Sequence, residues 1–576
     1  MQIFKCVNKE QEEIRKKEPT YKYLISRFNF DEANDEELKK QLEAIRVGDL
    51  INPQTDRGDI NKLFREALEK AALRAKVPQY NRGKRANTEK FERMLKDRTK
   101  LHSQLKEESL RNIDRENIEK QIATLNEKIL ETKQAEEEKE EKKAIEKMKE
   151  DSFKAFFRFA NRKKKFKETI GPLKSGKEDY TSDPKRMAEI LSKQYASVFS
   201  IPRKEANLTN MKEFRGERLT DLKLLTAEFE GAMSEIKTGS APGPDEIPAV
   251  VYKKYSEVLA KLLARIWRIC LDEGILPEGV AQAIITPIYK GDGKGEAANY
   301  RPVALTNHLT KIFERVVRRA LVAHMEKHAL FNLTQHGFTT GRSTITQLLR
   351  YYDSVLSLLE EKGDKKVDTI YLDFSKAFDK VDHGILLLKL EKLGIGGKLL
   401  TWLEVFLTKR VQRVRVEGHL SEPETVRSGV PQGSVLGPLL FLIMMLDIDA
   451  QIKYCKLGSF ADDTRVWYIV RTINAQAQLQ QDLEALYRWA EENNFTFNEK
   501  KFEHLSHGRS EIETHYKSPN NSEIKQKDLV KDLGVHFSES GNFAEHIEKI
   551  VADGKKLSGF VLRTFRTRER FPCSLC

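Results

Sequence analysis

The chain has 576 residues, of which 39% are hydrophobic and 33% charged, and its net charge is +13. A charged share above the ~25% of average globular proteins predicts a solvated, charge-rich extension beside a folded core. The positive charge fits a polyanionic partner, because Lys and Arg displace counterions from phosphate backbones. Five scattered cysteines exclude an ordinary disulfide framework and indicate a reducing, intracellular setting. The longest apolar run, residues 436–446, is shorter than the ~20 residues of a membrane span, so no membrane partner is expected.

The first 84 residues predict no chemistry of their own. Residues 1–84 are interpreted as a linker-like N-terminal segment, and residues 85–170 as a charged helical or disordered extension. The low-complexity stretch at 131–150 is typical of a long exposed helix with i,i+4 ion pairs or of a disordered tether. A helix within 85–170 could make protein contacts. The apolar residues at 131–150 hold no heptad seam, which makes a coiled coil the weaker option. The cluster RKKKFK at 162–167 fits an RNA contact, a nuclear localisation patch or a solvated basic face.

From about residue 185 onward the pattern predicts a globular α/β region. Helical periodicity occurs at 222–236 and 258–271, and residues 436–446 predict a buried helix. Strand-like runs occur at 283–289, 367–372 and 460–470, the last of them split by two aspartates. The recurring Leu479, Leu483, Leu486 and Trp489 are interpreted as helix core.

Three carboxylates point to chemistry. The run VDTIYLD ends at Asp373, which predicts a carboxylate at the edge of a sheet. Asp462 and Asp463 lie between two short β-prone runs, which predicts a hairpin with Asp-Asp at its tip. Adjacent like charges repel, so the arrangement favours a bound cation, and Mg²⁺ prefers such oxygen ligands. An isolated Asp-Asp is a weak signal, since turns are rich in Asp, and the hypothesis depends on the combination.

The order of short motifs between about 240 and 535 resembles the reverse transcriptase family, and within it the enzymes of jockey-like non-LTR retrotransposons. The matching stretches are SAPGPD at 240–245, NYRPV at 299–303 after Lys290, QHGF at 335–338 with GRST at 341–344, DFSKAFDKVDH at 373–383, SGVPQGS at 428–434, FADD at 460–463, and finally Asn498, Lys501 and DLGV at 532–535.

The resemblance implies a right-hand polymerase fold of the α/β class with an α+β palm. Fingers are expected at 185–365, the palm at 366–525, and a primer grip with a truncated thumb at 526–576. The implied activity is RNA-directed DNA polymerase (reverse transcriptase), adding dNTPs to a primer 3′-end by two-metal catalysis for retrotransposition. Mg²⁺ is the implied cofactor, and an RNA template, a DNA primer and dNTPs are the implied partners.

The resemblance also implies roles for individual residues. Asp373, Asp462 and Asp463 would be catalytic metal ligands, with Asp463 less essential than Asp462. Lys290 and Arg301 would contact the triphosphate; two surface cations are the alternative. Phe378 would pack under the sugar and exclude a 2′-hydroxyl, and Gln432 and Gly433 would form the nucleotide-binding turn. Lys501 would protonate the leaving pyrophosphate, and only its spacing from Asn498 favours it over Lys500.

The sequence departs from the family pattern at both ends. Residues 1–84 lack the His, Asp and Asn motifs of an upstream endonuclease, and the chain stops early in the expected thumb, which suggests a fragment or an eroded copy. The alternative function is therefore a catalytically impaired retrotransposon relic that only binds nucleic acid. A maturase-like enzyme and a structural protein acting through 85–170 are weaker alternatives. An intracellular location, in the nucleus, the cytoplasm or both, is expected.

Overall fold

The computed structural model describes residues 28–50, 60–77, 86–105, 112–149, 170–176, 179–203, 213–276, 278–360 and 365–564, with the short stretches 205, 207–209 and 211. The chain divides into two compact units, one formed by Met1–Gln79 with Ile170–Asn542 and the other by Tyr80–Thr169 with Phe543–Cys576. No helix among the described ranges is long and apolar enough to cross a membrane.

Helices and strands alternate through the first unit, so the predicted mixture of helix and sheet is confirmed. The helices of this unit are α1 Asp35–Glu43, α2 Ile60–Arg74, α5 Pro184–Ala196, α6 Thr226–Ser234, α7 Ala249–Lys254, α8 Ser256–Glu273, α9 Glu278–Ala281, α10 His308–Lys327, α11 Thr344–Glu360, α12 Ala377–Lys380, α13 His383–Lys392, α14 Gly397–Thr408, α15 Gly437–Met444 and α16 Ile473–Glu492; those of the second unit are α3 Ala86–Gln104, α4 Asn112–Lys149 and α17 Ala544–Thr564. The strands are β1 Leu173–Lys174, β2 Tyr180–Thr181, β3 Gln282–Tyr289, β4 Tyr300–Leu305, β5 Lys365–Leu372, β6 Val411–Val416, β7 His419–Leu420, β8 Glu424–Thr425, β9 Lys456–Phe460, β10 Asp463–Val470, β11 Glu503–Arg509, β12 Leu529–Asp532 and β13 Val535–Ser538.

One antiparallel sheet has the strand order β11-β5-β10-β9. Its second strand, β5, carries the apolar residues Val367, Ile370 and Leu372, all of them buried. A strand that pairs on both sides and is buried on both faces is favoured by apolar residues such as Val, Ile and Leu. The strands predicted at 367–372 and on either side of the two aspartates are therefore confirmed.

A second sheet has the order β4-β3-β6-β7, with β8 also paired to β6. β3 pairs antiparallel with β4 and parallel with β6. Helix α5 contacts this sheet through a separate small core that includes Leu191, Tyr195, Ile285 and Val414. The strand predicted at 283–289 lies within β3. Its parallel pairing with β6, more than a hundred residues later in the chain, could not be predicted from any local sequence pattern.

The large helical core is built around stacked aromatic rings. Trp267 of α8 stacks on Phe313 of α10 with ring centroids 4.3 Å apart, and Trp402 of α14 meets Phe313 edge-on at 4.8 Å. Leu38 of α1 and Phe64 of α2 are buried in the same core. Residues of the linker-like segment 1–84 thus contribute to packing, which its interrupted helical pattern did not indicate.

Several helix predictions are confirmed. α8 covers the periodic stretch 258–271, and α15 lies within the apolar run 436–446 with its apolar side chains buried. Leu479, Leu483, Leu486 and Trp489 are all buried on α16. Of the extension 85–170, the described parts are the helices α3 and α4, whereas the basic cluster at 162–167 lies outside the described residues.

Candidate active site

Two neighbouring strands bring the three predicted carboxylates to one edge of the four-stranded sheet. β5 and β10 pair antiparallel, and their register, continued by one residue, sets Asp463 opposite Asp373 where β5 ends. Asp462 lies in the two-residue turn from β9 to β10, because Phe460 pairs with Asp463 across that hairpin. The prediction of a strand-end aspartate beside a hairpin is therefore confirmed, but only Asp462 lies in the turn, whereas Asp463 is the first residue of β10. The catalytic roles of these residues stay a prediction.

The three carboxylates are close enough to repel one another. Asp463 keeps an exposed surface, but partial loss of water raises the pKa of its carboxyl to about 6, and the charges of Asp462 and Asp373 add to this rise. Burial likewise raises the pKa of Asp462, again with a contribution from the charge of Asp373. Two neighbouring carboxylates with raised pKa values, Asp462 and Asp463, are typical of a functional site, since a cation would relieve the repulsion.

The donor set fits a hard divalent cation by its chemistry. Mg²⁺ takes a few carboxylate oxygens and completes its octahedron with water or substrate phosphates. Within the described ranges, however, no group of three or more His, Cys, Asp or Glu side chains already converges as a metal cage. The mutual repulsion of Asp373, Asp462 and Asp463, and not a preformed cage, is the observation that supports the fit.

Lys501 contacts one of these carboxylates directly. Its Nζ lies 2.9 Å from Oδ2 of Asp373, and its side chain is half exposed. The contact follows from the backbone, because the N–H of Asn498 donates to the carbonyl oxygen of Asp373 at 2.8 Å and positions the turn that ends at Lys501. Lys500 and Lys501 both line a cavity of about 320 Å³ with Asp373 and Asp463. The structure therefore gives Lys501 the carboxylate contact that sequence spacing alone only suggested.

The predicted triphosphate cations lie on the β3–β4 hairpin. Lys290 directly follows β3, and its N–H donates to the carbonyl oxygen of Asn299 at 2.9 Å. Arg301 lies on β4 and pairs with Ile288 of β3. Both cations are exposed, and both lower the pKa of Asp462, against the larger effect of its burial. Lys290 and Arg301 are therefore within electrostatic reach of the carboxylates, where a phosphate chain would meet them.

The predicted nucleotide-binding turn is docked on β4. The N–H of Ala304 donates to the carbonyl oxygen of Gln432 at 2.8 Å, and Nε2 of Gln432 donates to Oδ1 of Asp379 at 2.8 Å. Gly433 has a φ of +135°, and a Cβ at this position would lie 2.2 Å from the carbonyl oxygen of Ala304. Only glycine allows this close approach of two backbones, so the turn has one available geometry.

Phe378 lies between two other rings. It stacks on Phe441 of α15 with centroids 4.2 Å apart and meets Phe338 edge-on at 6.2 Å. The backbone of Phe378 is also held in place, because the N–H of Val430 donates to its carbonyl oxygen at 2.8 Å. The interpretation as a core ring and the interpretation as a ring under the sugar are therefore compatible.

Two supporting carboxylates were missed by the sequence analysis. Oε2 of the buried Glu314 accepts the N–H groups of Val435 and Leu436, at 2.7 and 3.0 Å, where α15 begins. Asp368 is fully buried on β5 and accepts hydrogen bonds from Ser506, Thr514 and Tyr516 at 2.5 to 2.7 Å. Both carboxylates accept hydrogen bonds from distant segments, and no spacing along the chain indicates such partners.

A strand-end aspartate opposite a hairpin that carries two aspartates, with cations on an adjacent hairpin, is an arrangement that two-metal nucleotidyl transfer would use. Residues 288–537 match the family described as reverse transcriptase (RNA-dependent DNA polymerase). This region of the chain is therefore similar to the reverse transcriptase family, and the predicted resemblance is confirmed.

The chain is also similar to RNA-directed DNA polymerases from mobile elements of Drosophila melanogaster. The chain is 29% identical over 332 residues to the RNA-directed DNA polymerase from the mobile element jockey of Drosophila melanogaster, which covers 56% of this chain and 36% of that protein. It is 30% identical over 272 residues to the probable RNA-directed DNA polymerase from transposon BS of Drosophila melanogaster, and this match covers 46% of this chain and 30% of that protein. The predicted likeness to jockey-like non-LTR retrotransposons is confirmed, and the chain spans about a third of the length of these relatives.

A solved structure of apo telomerase from Candida tropicalis, truncated from the C-terminal domain, is also similar, with 11% identity and a TM-score of 0.32 over 50% of this chain and 59% of that one. At this TM-score the likeness supports no argument about the site.

Proposed function

We propose that this chain is an RNA-directed DNA polymerase, which adds dNTPs to the 3′-end of a DNA primer on an RNA template and serves retrotransposition. The observation that carries the proposal is the strand register that sets Asp463 opposite Asp373, with Asp462 in the adjoining turn. This edge lies inside the region that matches the reverse transcriptase family.

The proposed architecture is a right hand. The palm, at 366–525, would be the sheet β11-β5-β10-β9, and the fingers, at 185–365, would include the β3–β4 hairpin with Lys290 and Arg301. The segment 526–576 would begin with the β12–β13 hairpin as primer grip. The support for this division is that the carboxylates lie on the first sheet and the candidate phosphate-binding cations on the second.

Reverse transcriptases generally use divalent metal ions, and Asp373, Asp462 and Asp463 would hold Mg²⁺ here. When bound, the ions supply the charge that stabilises the attacking 3′-oxygen and the leaving phosphate. The residues of the chain do the remaining work. Lys290 and Arg301 would neutralise triphosphate oxygens, and Lys501 would donate a proton to the pyrophosphate as it leaves.

Two further residues would choose and orient the nucleotide. Phe378, fixed by its stack on Phe441, would lie under the sugar and disfavour a 2′-hydroxyl by steric exclusion. Gln432 and Gly433 would present the docked turn to the nucleotide or the template. Because Gly433 leaves no room for a side chain, the turn would offer its backbone at a fixed position.

The test is primer extension on poly(rA)/oligo(dT) with Mg²⁺, comparing the wild-type chain with Asp462→Ala/Asp463→Ala. Extension by the wild type and its loss in the variant is the expected result. If neither protein extends the primer while both bind RNA in a salt-sensitive manner, the chain is a nucleic-acid-binding relic and the proposal is wrong.

A further inference from the structure

The turn that carries Asp462 is held by a side chain from a distant part of the chain. Oε1 of Gln335 accepts the N–H of Ala461 at 2.8 Å, and Nε2 of Gln335 donates to the carbonyl oxygen of Ala461 at 3.1 Å. The same Oε1 accepts the N–H of Gly337 at 2.8 Å. Gln335 is only 7% exposed, so these hydrogen bonds are shielded from water and cannot easily be replaced by it.

Ala461 needs such a partner because of its backbone conformation. Its φ is +55°, in the left-handed region that non-glycine residues rarely adopt. A residue in this region persists where the surrounding structure holds it there. Ala461 directly precedes Asp462, so its backbone conformation sets the direction in which the hairpin presents Asp462 and Asp463.

Gln335 is itself firmly placed against β9. The N–H of His336 donates to the carbonyl oxygen of Ser459 at 2.9 Å, and the N–H of Ser459 donates to the carbonyl oxygen of Thr334 at 3.0 Å. The guanidinium of Arg342 donates to the carbonyl oxygen of Gln335 at 2.6 Å and also to the carbonyl oxygens of Asn332 and Leu333. A carboxamide mounted on so constrained a segment can impose a position on the turn that it contacts.

The close approach of the two segments depends on one glycine. A Cβ on Gly337 would lie 2.4 Å from the amide nitrogen of Ala461, closer than any real contact. The backbone of the loop at Gly337 therefore lies directly against the backbone of the turn at Ala461. The side chain of Gln335 makes hydrogen bonds with the N–H and the carbonyl oxygen of Ala461.

We propose that Gln335 is a positioning residue, which fixes Asp462 and Asp463 by clamping the left-handed turn at Ala461. This inference rests on the proposed function, because it assigns a task to the aspartates that would hold the metal ions. Gln335 itself touches no carboxylate, and it acts through the peptide groups of Ala461. Outer residues that orient metal ligands typically change metal affinity or activity by roughly 10- to 100-fold when they are replaced.

The test replaces Gln335 by Met, which keeps the length of the buried side chain and removes all three hydrogen bonds. Gln347→Met is the matched control, since Gln347 is 2% exposed and packs against Gly458 of β9, the strand before the turn, without contacting the turn itself. Amide hydrogen exchange of the peptide around Ala461 is measured on the full chain without metal or nucleic acid. Binding of Mn²⁺ and primer extension are measured separately.

For Gln335→Met we expect exchange at Ala461 to be faster by roughly fivefold or more, from the lost hydrogen bond. Mn²⁺ binding and extension are expected to weaken by roughly 10-fold or more. Gln347→Met should stay within twofold of the wild type in all three readouts. Adding Ala461→Gly to Gln335→Met should restore part of the loss, because glycine adopts a positive φ without a clamp.

The inference is overturned if Gln335→Met matches the wild type in exchange and Mn²⁺ binding, if Gln347→Met has the same effect, or if Ala461→Gly gives no rescue. If Gln335→Met does not fold, Gln335→Asn keeps an uncharged carboxamide but shortens the side chain by one methylene, which withdraws it from Ala461, and the same comparison applies. The exchange readout is independent of polymerase activity, so a wild type that fails to extend a primer would contradict the proposed function and not the clamp.

Discussion

Lys389 and Asp447 form a buried ion pair at the C-terminal end of α15, the helix that follows the turn at Gln432 and Gly433, and breaking it is expected to be costly. Nζ of Lys389 donates to Oδ1 of Asp447 at 2.6 Å and to the carbonyl oxygen of Met444 at 2.7 Å. The side chains are 0% and 5% exposed. Met444 ends α15, the helix that follows Gly433, so the pair anchors the support of that turn.

The structure sets the size of the effect. Lys389→Met leaves the carboxylate of Asp447 buried with the indole N–H of Trp489, at 3.2 Å, as its remaining side-chain donor. Removing one partner of a buried pair costs about 3–5 kcal/mol, a large share of the ~5–15 kcal/mol that stabilises a typical domain. Lys389→Met/Asp447→Asn removes both charges and keeps an acceptor for Trp489. We expect it to recover about 2 kcal/mol of the loss.

The assay is urea unfolding followed by tryptophan fluorescence, because all four tryptophans lie in the unit that contains this pair. The matched control is Lys398→Met, which breaks the exposed pair with Asp272 and should cost less than about 1 kcal/mol. The reasoning is refuted if Lys389→Met costs no more than this control, or if the double variant is no more stable than Lys389→Met alone.

Three further predictions concern the site and its support. Burial alone raises the pKa of Asp368, but the hydrogen bond and charge of His504, with other donors, outweigh this and lower the pKa to about 2. The stabilisation that ionised Asp368 gives the folded state is therefore present above the pKa of Asp368 in the unfolded chain and is lost as the pH falls toward 2. Asp368→Asn should flatten the dependence of the free energy of urea unfolding on acid pH. An unchanged slope of that free energy against pH contradicts this prediction. Gly433→Ala should lower kcat/KM for dNTPs by at least roughly 10-fold through its clash with Ala304, whereas Gly418→Ala, also at positive φ but in open space, should not. Lys501→Ala should lower kcat by roughly 100-fold or more, and Lys500→Ala by much less; equal effects would remove Lys501 as the proton donor.

Local patterns predicted the parts of the site that lie close together in sequence. The β-branched run before Asp373 and the two short runs around Asp462 and Asp463 are sufficient to indicate strands, because alternation and turn chemistry are local properties. The buried helix after Gly433 was predicted in the same way from its continuous apolar run. The family resemblance then ordered these elements, and the match at 288–537 confirms it.

Long-range contacts were out of reach of the sequence. The carboxamide of Gln335 meets Ala461 across 126 residues, and Asp368 collects donors from more than 130 residues downstream. Each polar group is unremarkable in its own segment, and its importance comes from a partner that only the fold supplies. The packing of Phe64 into the main core was missed for the same reason, since no local pattern shows which surface a short helix will cover.

The central claim is template-directed nucleotide addition by the carboxylate edge. The most direct measurement is single-nucleotide incorporation on a defined RNA template with a DNA primer and Mg²⁺, offering each dNTP alone to the wild type and to Asp373→Asn. The account predicts that only the complementary dNTP is added and that Asp373→Asn adds none at a comparable rate. Addition without regard to the template, or equal addition by Asp373→Asn, would contradict it.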